Sequence, residues 1–160
     1  MESENHIRES ADIIRVWSGK KIILPKQVSW KIFDRDTICS NLLSSRYKVL
    51  IYKESAFCYD CSLRLAEWKR LMSEIDNLKV SFLFFINTYN ENEIEDILKY
   101  HEFNYPVIID KDNTINKLND FPKEYKLQCF LLNRRNKVLL VGDPTLNNSL
   151  WDLYKKVMAN

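Results

Sequence analysis

From Lys48 onward, apolar and polar positions fall into blocks whose period switches between that of a strand and that of a helix. "KVLIYK" (48–53) is a short β-rich apolar run and predicts a buried strand. After "ESAF" and a pair of cysteines, "SLRLAEWKRLMSEI" sets Leu65, Trp68, Leu71, Met72 and Ile75 at helical spacing. "VSFLFFIN" is apolar throughout, which predicts a central strand covered on both faces. "NENEIEDILKYHE" predicts a helix with acidic residues in its first turns, where the helix dipole favours them, and Ile94, Ile97 and Leu98 facing inward.

"YPVIID" predicts a third strand opened by Pro106, and "NTINKLN" a short helix. "LQCFLLN" and "KVLLVG" predict two strands joined at "RRN" as a hairpin, which Gly142, Asp143 and Pro144 stop. "NNSLWDLYKKVM" places Leu150, Leu153, Tyr154 and Val157 on one helical face. Ahead of this body, residues 13–24 suggest a short strand pair: "IIRVW", a turn at Ser18-Gly19, then "KIILP". Residues 1–10 are polar and expected to be disordered, leaving 11–160 as a single domain. The body therefore runs β–α–β–α–β–α–β–β–α. Its βαβ units imply parallel strands with right-handed crossovers, and the closing hairpin is antiparallel on the same sheet. The expected class is an α/β sandwich.

At 160 residues the chain is long enough to bury a real core, and 46% hydrophobic with 29% charged residues is the balance of a globular protein. A net charge of +2, with both signs mixed along the chain, argues against nucleic acid as a partner. The longest apolar run, 80–86, is too short to cross a membrane, and no integral membrane segment is expected. "MESENHIRES" lacks the apolar core of a secretory signal, which by itself points to the cytoplasm. Oligomeric state leaves no mark on the pattern.

The candidate chemistry lies in the four cysteines, Cys39, Cys58, Cys61 and Cys129. Cys39 and Cys129 stand alone, and neither His6 nor His101 lies at zinc-ligand spacing, so no metal is expected. Cys58 and Cys61, in "FCYDCS", sit between a predicted strand and a predicted helix. A cysteine at a helix N-terminus faces unpaired backbone N–H groups and the positive end of the dipole, which favour thiolate. Three residues on, the second cysteine returns to the same side, so the sulfurs can bond. Such a pair suits disulfide exchange, with Cys58 attacking and Cys61 resolving. Two small buried hydrophobes are the plainer reading. Asp60, inside the motif, opposes a thiolate at Cys58 by charge.

A strand, "SAFCYDC", a long amphipathic helix and a terminal ββα resemble the thioredoxin fold. The extra helix and the "YPVIID" strand resemble its TlpA/ResA-like branch, bacterial thiol-disulfide oxidoreductases related to the peroxiredoxins. The resemblance covers roughly residues 13–158. It implies a three-layer sandwich with a mixed central sheet, an N-terminal β extension and an extra α-β insertion. It also implies Cys58 as nucleophile and Cys61 as resolving cysteine, protein thiols or disulfides as partners, no organic cofactor, and a location in or facing the periplasm. Phe57 stands where the family often has Trp, and Phe57, Tyr59, Asp60, Leu127 and Gln128 fall on the expected substrate groove. The family places a cis-proline before the hairpin strand, facing the cysteines. Here that position is Leu127, before which a trans peptide is expected.

Disulfide exchange is the leading function. The alternative is a thioredoxin-like interaction module whose cysteine pair is structural or vestigial, which the altered "LQC" segment favours. A thiol peroxidase is weaker, because Ile51 and Ser55 occupy the positions where that chemistry needs Pro and Thr. Cys129, near the expected groove, is either a third redox partner or a small strand residue. Arg134 and Arg135 read as a solvated turn, and Trp68, Phe82, Phe84 and Phe85 as core.

Overall fold

A computed structural model describes residues 2–54, 63–75 and 79–160, with side chains from Glu4 on. The two longest strands, β3 (Tyr47–Lys53) and β4 (Val80–Ile86), are buried at every position, as their unbroken apolar runs require. Before them come α1 (Glu2–Trp17), β1 (Ser29–Ile32) and β2 (Arg35–Thr37), and between them α2 (Leu65–Met72). After them follow α3 (Glu91–Tyr100), β5 (Val107–Ile109), α4 (Thr114–Asn119), β6 (Cys129–Leu132), β7 (Val138–Val141) and α5 (Asn148–Met158).

The strands form one mixed sheet in the order β2-β1-β5-β4-β3-β6-β7. β3, β4 and β5 are mutually parallel, β6 runs antiparallel beside β3 and β7 beside β6, as the βαβ and hairpin patterns predict. Alternation along β3 sends Val49 and Ile51 to one face and Leu50 and Tyr52 to the other. The first face packs against Trp68 of α2, Leu98 of α3, and Trp151 and Tyr154 of α5. The second packs against Trp17 of α1 and Ile115 of α4. Helices on both faces complete the three-layer α/β sandwich of the sequence reading.

The N-terminal β extension exists, but not where the pattern put it. "IIRVW" is the end of helix α1, because positions 10, 13 and 17 recur at helical spacing and Trp17 is buried against Phe121 and Phe130, with ring centroids 5.8 and 5.3 Å apart. That burial outweighs the β-branched residues' strand preference. Ser18-Gly19 is the end of the helix and not a hairpin turn: Ser18 N–H donates to Ile14 O, and Gly19 follows at φ +81°. Helix α1 also takes in residues 2–10, for which disorder was expected. "KIILP" pairs elsewhere, by a Lys21–Lys137 bridge beside β7.

The extension itself is the β1–β2 hairpin, which joins the sheet by antiparallel pairing of β1 with β5. Lys31 of β1 is buried and its Nζ contacts Glu95 at 2.8 Å and Glu91 at 3.0 Å. Burial alone would lower its pKa, but the hydrogen bonds and charge of those two carboxylates outweigh it and raise the value. In α5 the inward face is Trp151, Tyr154 and Met158, while Leu153 is 44% exposed, which corrects its assignment to the core.

Candidate functional site

Cys58, Cys61, Phe57, Tyr59 and Asp60 lie outside the described residues, and so does the geometry of the cysteine pair. What is described is the frame on either side. Lys53 ends β3 at the carboxyl edge of the parallel strands, where open α/β sheets place their sites. Leu63, the first described residue after this segment, is helical and buried, and Arg64 stands in the left-handed region at φ +48°, ψ +46°. Arg64 interrupts the helix, and α2 runs from Leu65; the start predicted at Ser62 lies outside the described residues.

A buried polar chain joins the two ends of this segment. Asp143 is 4% exposed, and its Oδ2 lies 3.8 Å from Lys53 Nζ, itself buried. Its Oδ1 accepts hydrogen bonds from Thr145 N–H at 2.9 Å and from Thr145 Oγ1 at 2.6 Å. Thr145 in turn accepts from Arg64, Nε to Oγ1 at 3.0 Å and Nη2 to the carbonyl at 3.1 Å. The Thr145 hydroxyl thus donates to the carboxylate and accepts from the guanidinium, using both of its capacities. Gly142 at φ +125° and Pro144 turn the chain so that this loop sits across the sheet edge.

Cys129 lies beside this chain, opposite Ile51 of β3 and 1% exposed. Burial pushes its thiol well above the ordinary value, and the nearby Asp143 charge adds to this. Tyr154 Oη approaches Cys129 Sγ at 3.8 Å but donates to Gly142 O at 2.7 Å, and burial raises its own pKa. A thiol so held is protonated and poorly nucleophilic.

Leu127 and Gln128 are both buried, at 6% and 8% exposure. Leu127 packs in the second core, while Gln128 Nε2 donates to Pro122 O at 2.8 Å and its carbonyl accepts from Tyr52 N–H at 3.0 Å. No peptide bond among the described residues is cis, so the bond before Leu127 is trans, as expected. Tyr125, at 61% exposure, and Lys126 face solvent in this turn. Tyr52 Oη donates to Asn113 Oδ1 at 2.7 Å, and burial raises its pKa to about 12. Among the described residues no group of three His, Cys, Asp or Glu side chains is placed to hold a metal, and no helix is long and apolar enough to cross a membrane.

Lys53, Arg64, Asp143 and Thr145 were not singled out by the sequence reading as site residues. A lysine closing an otherwise apolar strand was the available signal. The partners that justify it lie far along the chain.

No family model and no curated protein matches this chain in sequence. Solved structures do match it in three dimensions. The thioredoxin domain of a thiol-disulfide oxidoreductase from Bacteroides vulgatus superposes with a TM-score of 0.62 at 8% identity, over 85% of this chain and 96% of that one. PrxQ from Xylella fastidiosa gives 0.63 at 12% identity, over 87% and 95%. StoA from Bacillus subtilis gives 0.53 at 15% identity, over 80% and 99%. At these identities the likeness is one of fold: the chain has a thioredoxin-like fold, with the mixed seven-stranded sheet described above.

Proposed function

We propose that this chain is a thiol-disulfide oxidoreductase that exchanges disulfides with protein or peptide substrates through Cys58 and Cys61. One observation supports the reading: in the sequence, a CxxC pair lies between β3, a central parallel strand of a thioredoxin-like sheet, and helix α2. The names of the similar structures, which include thiol-disulfide oxidoreductases, agree with it.

In the reducing direction the Cys58 thiolate attacks one sulfur of a substrate disulfide. A mixed disulfide forms and the first substrate sulfur leaves as a thiolate. The Cys61 thiolate then attacks Cys58 Sγ, and the second substrate sulfur leaves. Two electrons have passed to the substrate, and the protein holds a Cys58–Cys61 disulfide until a donor dithiol reduces it. Cys129, buried and protonated, takes no part. No organic cofactor or metal is needed for these steps. The resemblance to the TlpA/ResA-like branch supports action in or facing the periplasm.

Redox titration in dithiothreitol buffers, with trapping of free thiols and mass mapping, tests the reading. Reversible interconversion of Cys58 and Cys61 between roughly −270 and −120 mV is expected, the span of known exchange proteins. Insulin reduction by wild type and Cys58→Ser gives the second arm, and equal rates would overturn the catalytic role. A pair that never bonds, or resists reduction well below about −300 mV, would favour a thioredoxin-like interaction module. The buried Leu127 in place of the family's proline is the observation on that side.

A further inference from the structure

One lysine is fully buried within the sheet. Lys48 of β3 is 0% exposed, and its Nζ donates to Leu43 O and to Arg134 O, each at 3.0 Å. Burial lowers its pKa, and the charge of Arg134 lowers it further. An apolar side chain would fill the same space without that penalty. What the lysine adds is a tie: it holds the β6–β7 turn, 86 positions away, against the amino end of β3. The same turn is braced from within. Asn133 Oδ1 accepts from Arg135 N–H at 2.9 Å and from Lys137 N–H at 3.0 Å, and Asn133 N–H donates to Lys137 O at 3.0 Å. Ile22 braces it from a third side, its N–H donating to Asn136 O at 2.8 Å.

This bracing fixes where Arg134 and Arg135 stand. Both are exposed, and with Arg46, Tyr47 and Asn133 they line an open cavity of about 400 Å³. It lies at the amino end of β3, the opposite end of that strand from Lys53. Arg46 is held separately: its guanidinium lies over the Tyr47 ring, 5.5 Å from the centroid, and Nη2 donates to Asn160 O at 2.6 Å. Three guanidinium-bearing side chains thus share one cavity. The net charge of +2 does not reveal them, because opposite charges elsewhere in the chain cancel in the sum.

We propose that this cavity is a binding site for a diphosphate group, held by Arg46, Arg134 and Arg135. The argument is one of sign, geometry and size. Like charges gathered at one cleft repel each other and focus a field that draws an anion in. The planar guanidinium fork matches the paired oxygens of a phosphate. A phosphate monoester concentrates about two negative charges at neutral pH on one compact group, where a carboxylate has one, and a second phosphate group answers the third cation. A volume of about 400 Å³ falls in the range of small-molecule sites, roughly 300–1,000 Å³. A soluble diphosphate ester and a diphosphate lipid headgroup present the same chemistry. The site is built without the cysteine pair, so it stands apart from the exchange reading.

Isothermal titration calorimetry of the full chain with inorganic pyrophosphate, in about 150 mM salt to screen non-specific attraction, tests the proposal. One saturable site is expected, with orthophosphate and citrate each at least about tenfold weaker. Arg46→Gln and Arg134→Gln should each weaken pyrophosphate about five- to fiftyfold, the loss of one charge-assisted pair. Arg70→Gln removes the same charge from an exposed ion pair on α2 and should change the affinity less than about twofold. Asn133→Ala loosens the turn without touching its charge, and should act in the same direction as Arg134→Gln by a smaller factor. Competition by ADP assigns the site to a soluble ester, and co-flotation with phosphatidylcholine vesicles carrying farnesyl diphosphate assigns it to a lipid. Pyrophosphate that neither displaces would be an adventitious ion only. That result, citrate binding as tightly as pyrophosphate, or Arg46→Gln and Arg134→Gln indistinguishable from Arg70→Gln would overturn the proposal.

Discussion

Replacing Tyr154 by Phe removes one oxygen from the middle of the molecule, and its cost can be worked out from what that oxygen touches. Tyr154 is fully buried, and its hydroxyl has two neighbours, Gly142 O at 2.7 Å and Cys129 Sγ at 3.8 Å. A single O–H donates to one of them, and distance and acceptor strength both choose the carbonyl. In Tyr154→Phe the carbonyl loses that donor inside a site that water does not reach. An orphaned buried acceptor costs about 1–3 kcal/mol. For a chain of this length each kcal/mol moves the melting temperature by roughly 2–4 °C, so a fall of about 4–8 °C is expected for a cost near 2 kcal/mol.

The assay is thermal and urea unfolding followed by circular dichroism, with Cys129→Ala and the double variant completing a cycle. If the carbonyl is the acceptor, the coupling between positions 154 and 129 stays below about 0.5 kcal/mol. A Tyr154→Phe protein melting within a degree of wild type, or a coupling above about 1 kcal/mol, would refute this division of the bonds.

Lys31→Met leaves Glu91 and Glu95 without their shared cation. Because both carboxylates keep some exposure, the expected loss is about 2–3 kcal/mol, below the 3–5 of a fully buried pair. The hydrogen bond from Lys111, and then that from Lys31, hold the Glu91 carboxyl below the usual range. Its stabilisation is therefore complete above the unfolded value of about 4.3 and fades as pH falls through the folded one. Wild type and Lys31→Met should accordingly converge in stability between pH 7 and pH 3, as urea unfolding at the two pH values will read. Gly142→Ala puts a Cβ 2.9 Å from Leu150 Cδ2 on a backbone at φ +125°, and should lower stability by about 1–3 kcal/mol in the same assay. Cys129 should resist iodoacetamide in native protein at pH 8 over hours and react fully in urea, scored by intact mass.

Five of the seven strands and four of the five helices among the described residues follow from periodicity alone, because each is long enough to show its period or is fenced by Pro, Gly or Asn. The remainder depends on partners. β1 and β2 have four and three residues, and β2 is "RDT"; nothing local marks them, and pairing with β5 creates them. Residues 13–17 satisfy strand propensity and helix spacing equally, and Trp17 decides in favour of the helix by finding Phe121 and Phe130. Leu153 fits the apolar face of α5 by spacing, yet Trp151 fills the inward position. The site divides in the same way. Cysteine spacing is a covalent fact and can be read along the chain. The polar frame around it is built from residues on three elements, and no pattern in one segment announces a hydrogen bond across 81 positions.

The first 37 residues also govern how this sheet meets other molecules. A sheet whose middle is "VLIYK" and "VSFLFFI" is an aggregation hazard wherever its border strands are open. At one border, β1 covers β5 and leaves only β2 outermost, too short and too charged to template another chain. At the other, residues 19–22 lie along β7 and the turn before it, with Gly19 N–H to Val138 O, Val138 N–H to Lys20 O and Ile22 N–H to Asn136 O. Both covers precede the strands they protect, so during synthesis each border strand emerges with its shield already outside the ribosome. Deletion of residues 1–37 would therefore show first in self-association, before any loss of the inner fold.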